Sequence, residues 1–305
     1  MSHPPDAPTP GAAPLVSTTV GAAPGSIRQV LRGVWRSRNG RVGLLLTAFL
    51  MLLALLAVVG LTPYNPLTQH PDDQLLGPST TYWFGTDQFG RDVASRTFAG
   101  IAASLRVAFI AVGIAAVIGS IAGVASGYAG GAWDQVTGRL TDVLFAFPAT
   151  LLALAIIAAL GRGWFNTAIA IAIVYIPIFV RVARGPTLTV RELEYVAAGR
   201  VLGFSGRRIL FRHVLPNVSA PIVVQVALAL SWAILTEAGL SFLSLGTQPP
   251  DPSLGLMVSE SRNLVTTAWW TMVFPSIAIV LAVIGLNLLG DGLGSALDPQ
   301  DESGG

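Results

Sequence analysis

The feature that most constrains this chain is Val42 to Leu61, an uncharged apolar run of 20 residues. As a helix, such a run covers about 30 Å, the thickness of a bilayer's hydrocarbon core. Every backbone N–H and C=O in hydrocarbon must be bonded within its own segment, so the run has to be helical. Further apolar runs lie at about Val107 to Gly127, Leu140 to Leu160, Trp164 to Val180, Val218 to Thr236 and Trp269 to Leu289. The expected fold class is an all-α integral membrane protein with six transmembrane helices.

Composition agrees, and it removes several chemistries. Of the 305 residues 52% are hydrophobic and 11% charged, where soluble domains carry about a quarter charged. All 18 basic residues are arginine, and there is no cysteine. Disulfides, thiol nucleophiles, iron–sulfur ligation and cysteine zinc sites are excluded. So are a P-loop lysine and a Schiff base. The pI of about 9.4 reflects loop arginines near lipid headgroups. No basic run interleaved with aromatics suggests nucleic acid as a partner.

Charge placement orients the spans. Residues 1–26, rich in Pro, Ala, Gly, Ser and Thr, read as a disordered tail without the charged start and cleavage site of a signal peptide. The basic juxtamembrane segment 27–41 follows, with Arg28, Arg32, Arg36, Arg38 and Arg41 just before the first transmembrane helix, 42–61. The positive-inside rule puts that side, and hence the N-terminus, in the cytoplasm. Residues 62–102 hold Asp72, Asp73, Asp87 and Asp92 against Arg91 and Arg96 only, and are expected outside. Within them Gly85, Asp87, Gly90, Arg91 and Asp92 suggest a turn leading to a short interfacial helix, with charges that pair locally.

Gly119, Gly123 and Gly127 recur every four residues, so one face of the second span should admit a close neighbour. Asp142 is expected to pair with Arg139, one turn away. Glu237, at the outer end of the fifth span, is expected to snorkel or pair. The segment Ala238 to Glu260 is apolar yet broken by Gly and Pro, and is expected to dip back into the protein. Trp269 and Trp270 read as an interfacial belt.

The longest polar interruption in the C-terminal half is Thr189 to Asn217. Thr189 and Glu192 have the spacing of a capping box. Gly203 stands where a C′ glycine would end a helix running from about Val190 to Leu202. The small residues Ala197, Ala198 and Gly199 could seat closely in a groove on another protein. Arg207 and Arg208 lie in a second short amphipathic piece, and Pro216 opens the next apolar run. Two readings compete: an ordinary cytoplasmic loop, or a docking element.

These strings resemble the permease subunits of ABC importers, in particular the dipeptide and oligopeptide branch. The loop reads Ala197-Ala198-Gly199, three residues, Gly203, nine residues, then His213-Val214-Leu215-Pro216. Ala197 stands at the family's glutamate position, so either Glu194, one turn earlier, takes that role or the chain does without it. Gly85-Thr86-Asp87, Gly90-Arg91-Asp92, the Leu240 to Gly246 stretch and the Asn287 to Leu293 ending, with Gly290 and Asp291, match in the same order. The resemblance runs from Arg28 to Pro299.

The resemblance implies a type I ABC importer permease fold with a cytoplasmic coupling helix. It implies a permease core at 103–292 with five of the spans, a coupling loop at 181–216 and a cytoplasmic C-terminal tail at 293–305. The implied setting is the bacterial inner membrane, multi-pass, with both termini cytoplasmic. Implied partners are a homologous permease subunit, two ABC ATPase subunits, an extracytoplasmic substrate-binding protein, membrane lipid and a peptide substrate. ATP and Mg would belong to the ATPases, with no cofactor, metal or catalytic residue in this subunit. Glu194, Ala197, Ala198, Gly199, Gly203, Arg207, Arg208 and Pro216 would couple to the ATPases. Gly85, Asp87, Gly90, Arg91, Asp92, Asp142, Glu237, Gly290 and Asp291 would be structural. Related permeases carry nickel, glutathione or other small solutes. A secondary transporter would want acids or histidines at span centres, and a membrane scaffold would not require the capped loop helix.

Overall fold

A computed structural model describes residues 27–297. The tail 1–26 and residues 298–305 of the C-terminal tail lie outside the described residues. Helix α1 (Ile27–Arg36) precedes α2 (Arg38–Val58), and after a long loop comes α3 (Val93–Ala129). Helices α4 (Gly131–Phe145) and α5 (Ala149–Leu160) lead to α6 (Trp164–Arg191), then α7 (Glu194–Val201) and α8 (Gly206–Ile209). A π-helical turn (Leu210–Val214), α9 (Leu215–Phe242), α10 (Leu254–Ser261) and α11 (Trp270–Leu297) complete the order. Among the described residues five helices are long and apolar enough to cross a membrane, and the bent pair α4–α5 makes six if it counts as one span. The protein is all-α; among the described residues the one extended pairing is an isolated bridge between Thr86 and Asp92.

Several expected boundaries move. The first span starts at Arg38 rather than 42, because the Ser37 hydroxyl accepts from the Gly40 N–H at 3.0 Å and caps the helix early. The outer loop ends at Asp92, not 102. The Asp92 carboxylate accepts from the Ser95 N–H at 2.8 Å, and the expected interfacial helix runs unbroken into the second span as α3. The third span is two helices meeting at 91°. Pro148 causes the break, since it lacks an N–H and disfavours helical geometry in the residue before it.

Helix α6 runs on through Pro186 to Arg191, beyond the expected end at Val180. Thr189 therefore lies inside α6, and the capping box does not form. Glu192 is instead the C-cap of α6, its N–H directed to the Thr189 and Val190 carbonyls.

The glycine face behaves as expected. A Cβ at Gly119 would lie 2.6 Å from the Ile176 carbonyl oxygen, and one at Gly127 would lie 3.0 Å from Thr187. A Cβ on Gly123 would meet the Val180 carbonyl oxygen closer still. Helices α3 and α6 thus touch backbone to backbone along this seam. Around it packs the main core, which includes Val107, Ala111, Ala115, Ala168, Ile171 and Phe179 with Ala233 and Ile234 of α9. Gly290 fixes a second close approach, α11 against Leu228 of α9.

The seam can be tested by overpacking. Gly123→Leu should lower the thermal unfolding midpoint of the purified protein by several degrees, consistent with about 1–3 kcal/mol for a forced core insertion. Gly113→Leu, where a Cβ meets nothing within 4 Å, should leave it nearly unchanged. Equal midpoints for the two variants would show that the seam does not hold the pair.

Candidate functional site

Three places concentrate polar chemistry: the α7 end of the bundle, a cavity among α5, α6 and α9, and the opposite end at loop 59–92. At the first, α7 is shorter than expected, starting at Glu194 behind Leu193. Its C-terminus closes as foreseen. Gly203 has φ +75°, its N–H reaches the Arg200 carbonyl at 3.0 Å, and the Phe204 N–H reaches the Gly199 carbonyl at 3.0 Å. These paired bonds form a Schellman motif, which needs a residue comfortable at positive φ.

One face of α7 is buried in its own chain. Val196 joins Val124, Ala183, Val190, Ile209, Val214 and Val218 in a cluster built from the ends of α3, α6 and α9. Gly199 faces inward too, with Phe204 3.4 Å from where its Cβ would be. It therefore serves internal packing, a correction to its expected place on the outer face. The opposite face carries Glu194, Ala197 and Ala198, all exposed, with Val201 88% and Leu202 71% exposed. Glu194, in the first turn, favours the helix dipole and shares this face with Ala197 and Ala198.

The surroundings of α7 are braced. Arg191 donates to the Gly127 carbonyl at 2.7 Å. His213 lies between Tyr195 and Phe204, stacked on the latter, and Asn217 donates to the Tyr195 hydroxyl at 3.2 Å. The Arg208 guanidinium sits 4.1 Å from the Phe204 ring centroid; Arg207 is exposed beside it. Ser205 caps α8, and the chain passes through the π turn into α9. Pro216 stands in the first turn of α9, as expected, although α9 follows the π turn without a break. The wide turn lies just before it, where the ring lacks an N–H and crowds the preceding turn.

Asp142 pairs with Arg181 at 2.9 Å, not with Arg139. Asp134 holds Arg184 through two hydrogen bonds of 2.5 and 2.7 Å. Both pairs tie α4 to α6, a contact the local spacing could not reveal. Asp291 is exposed near the end of α11.

The cavity, of about 630 Å³, is lined by Ala153, Ile171, Ala229, Trp232 and other apolar residues. Its polar side-chain groups are those of Thr150, Tyr175, Gln225, Trp232 and Thr236, and among the described residues no charged side chain lines it. The Tyr175 and Thr236 hydroxyls are 3.1 Å apart. Nearby, Glu237 is 1% exposed. It does not snorkel: its carboxyl oxygens accept from Ser104 of α3 and Ser241, each at 2.6 Å. Sequence pattern gave no hint that Ser104 would meet it.

At the opposite end, Gly85 and Gly90 have φ +73° and +71°, giving the expected turn. Asp87 pairs with Arg91 at 2.6 Å and Arg96 at 3.5 Å, and Glu260 of α10 approaches both arginines at 3.4 and 3.6 Å. The Trp270 indole N–H donates to the Thr86 carbonyl at 3.0 Å, so Trp270 is a buried fastener while Trp269 stays half exposed. Tyr82 donates to the Asp73 carboxylate at 2.7 Å, which pushes its phenol up to about 12. Of the segment Ala238 to Glu260, helix α10 packs inside, with Leu254 and Leu256 buried, while Pro249, Pro250 and Asp251 before it are exposed.

Residues 115–300 match the family described as binding-protein-dependent transport system inner membrane component. The chain is 42% identical to the dipeptide transport system permease protein of Alkalihalophilus pseudofirmus over 276 residues, 90% of each chain. It is 41% identical to the glutathione transport system permease proteins of Pectobacterium atrosepticum, over 91% of this chain and 94% of that one, and of Escherichia coli, over 91% and 93%.

The Asp87 cluster makes a quantitative contrast with Asp142. Asp87→Ala removes the nearer carboxylate from two arginines whose side chains are 5% and 1% exposed, leaving them only the longer contacts to Glu260. Breaking a buried pair in this way costs about 3–5 kcal/mol, so the variant should show a sharply lower unfolding midpoint and yield. Asp142→Ala removes an exposed pair, worth under about 1 kcal/mol, and should unfold close to the parent protein.

Proposed function

The chain belongs to the family of binding-protein-dependent transport system inner membrane components, and on that premise we propose that it carries small peptides inward as one of two permease subunits of an ABC importer. The observation that carries the reading is the exposed small and apolar face of α7, held rigidly by the ends of α3, α6 and α9. The protein is a multi-pass membrane permease. Its relatives transport dipeptides and glutathione, which supports a substrate of two or three residues. An uncharged cavity suits a route that lets such solutes pass without gripping their charged ends.

In this reading a second permease completes the pathway, two ATPase subunits supply energy, and the binding protein delivers the peptide and sets most of the selectivity. ATP and Mg²⁺ stay on the ATPases, since this chain lacks a P-loop lysine. The α7 end faces the cytoplasm, with both termini, and loop 59–92 faces outward. The arginine asymmetry supports this orientation. ATP binding closes the ATPase pair, α7 moves with its groove, and the motion passes through the braced loop into α9, which lines the cavity. Glu194 stands in for the glutamate absent at Ala197, from the same exposed face.

Ala198→Arg puts a long cation on the docking face, and Gly203→Asp strains the positive-φ closure. Both should leave the subunit in the membrane while uptake falls at least about tenfold, since about 1.4 kcal/mol of lost docking suffices. Glu194→Ala should also weaken uptake. Normal uptake and ATPase stimulation in both Ala198→Arg and Gly203→Asp would remove α7 from the mechanism.

Orientation is open to labelling, because the native chain has no cysteine. A cysteine at Ser79 should react with an impermeant reagent from the extracytoplasmic side, and one at Arg207 from the cytoplasmic side. The reverse pattern would invert the topology.

A further inference from the structure

We propose that α1 lies flat in the membrane surface and binds anionic phospholipid headgroups on the face of the bundle from which α7 projects. The helix has three longitudinal stripes. Val34, 1% exposed, packs beside Gly40 of α2, and Gly33 faces α11, where an added Cβ would come within 2.7 Å of the Ala296 Cβ. Next round the helix are Leu31 and Trp35, one turn apart and 53% and 52% exposed. Beyond them Arg28, Arg32 and Arg36 recur at four-residue spacing, which stacks them on one exposed stripe. Buried, exposed-apolar and basic stripes in that order are the arrangement of an interfacial helix, whose apolar edge enters the acyl boundary while its cations stay among headgroups.

Position supports the same assignment. Only Ser37 separates α1 from α2, which is long and apolar enough to cross the bilayer, so α1 cannot leave the boundary. Its packing against the last turns of α11 fixes its side, and α11 there approaches the first half of α9, as Gly294 does Val224. Trp35 is of the type that settles at headgroup level. Arg38 and Arg41, exposed in the first turn of α2, extend the basic stripe.

Charge completes the case. No Asp or Glu occurs between residues 27 and 71. Among the described residues, none of these five arginines is in an ion pair. A guanidinium matches phosphate oxygens with two parallel hydrogen bonds. A nucleic acid or an acidic peptide would use the basic stripe and leave Leu31 and Trp35 in water. A phospholipid uses both, phosphate on the arginines and acyl chain beside the apolar edge. The inference rests on α2 crossing the bilayer and is independent of the substrate.

The test uses the full chain in bilayers of equimolar phosphatidylglycerol and phosphatidylcholine, extracted gently, with retained lipids counted by native mass spectrometry. The parent protein should retain phosphatidylglycerol preferentially. Arg28→Gln/Arg32→Gln/Arg36→Gln should cut that preference at least about tenfold, as expected when several basic side chains leave a charged surface. The matching lysine triple should keep most of it. Leu31→Ser/Trp35→Ser, with every arginine present, should also reduce it. Arg207→Gln/Arg208→Gln/Arg212→Gln loses the same charge near α7 and should retain the parent preference. Unchanged preference in the Arg28 triple, or equal loss in the α7 control, overturns the proposal. So does a triple that keeps its lipid but sheds a co-purifying protein, since a protein would then cover the stripe. If the glutamine triple does not insert, the Leu31/Trp35 variant decides.

Discussion

The contact on which the rest of the bundle depends is the seam between α3 and α6. Between helices in lipid there is little hydrophobic force to exploit, because the surrounding tails are as apolar as leucine. What remains is close packing, and Gly119, Gly123 and Gly127 permit it by removing the Cβ at three successive positions along one edge of α3. Helix α3 can then act as a spine. Near one end of the seam Arg191 reaches the Gly127 carbonyl and the α7 cluster forms around Val124. Further along, Ser104 receives Glu237 and so draws in α9.

Charges are distributed to suit this spine. Ion pairs that join separate helices sit toward the bundle ends, where water and headgroups can complete their solvation: Asp87 and Glu260 around Arg91 and Arg96 at one end, Asp134 with Arg184 and Asp142 with Arg181 toward the other. The buried acid between α3 and α9 has two serine hydroxyls in place of a cation. Serine donors satisfy its oxygens without adding a second buried charge, which would carry its own desolvation cost.

How much of this could be read from residues alone depends on the range of each interaction. The apolar runs, the glycine edge, the Gly85 and Gly90 turn and the closure at Gly203 are local, and their patterns announced them. Boundaries failed where a tertiary contact outweighed a local signal. Thr189 and Glu192 have capping spacing, yet α6 continues because Thr187 and Val190 are buried against neighbouring helices. Asp142 has Arg139 one turn away, but α4 folds so that Arg181 of α6 is nearer. Gly199 looked like part of a docking surface, and its neighbours Phe204 and Ile209, closed over it by the Schellman turn, make it internal. Ala197 and Ala198 of the expected patch do lie on the outer face of α7 with Glu194, since residues three and four apart share a helix face.

The π turn at Leu210–Val214 also sets an angle. A π turn holds one residue more than the α turn it replaces, and each residue rotates a helix by about 100°. From Gly206 to Phe242 the chain is otherwise helical. Removing one residue from the turn would yield a smoother helix, and yet Gln225, Trp232 and Thr236 would swing away from the cavity while α7 stayed where it is. The interval between Gly203 and the first turn of α9 therefore works as a phase setting. It can change in sequence while its length stays fixed, because length decides which side of α9 the pathway sees.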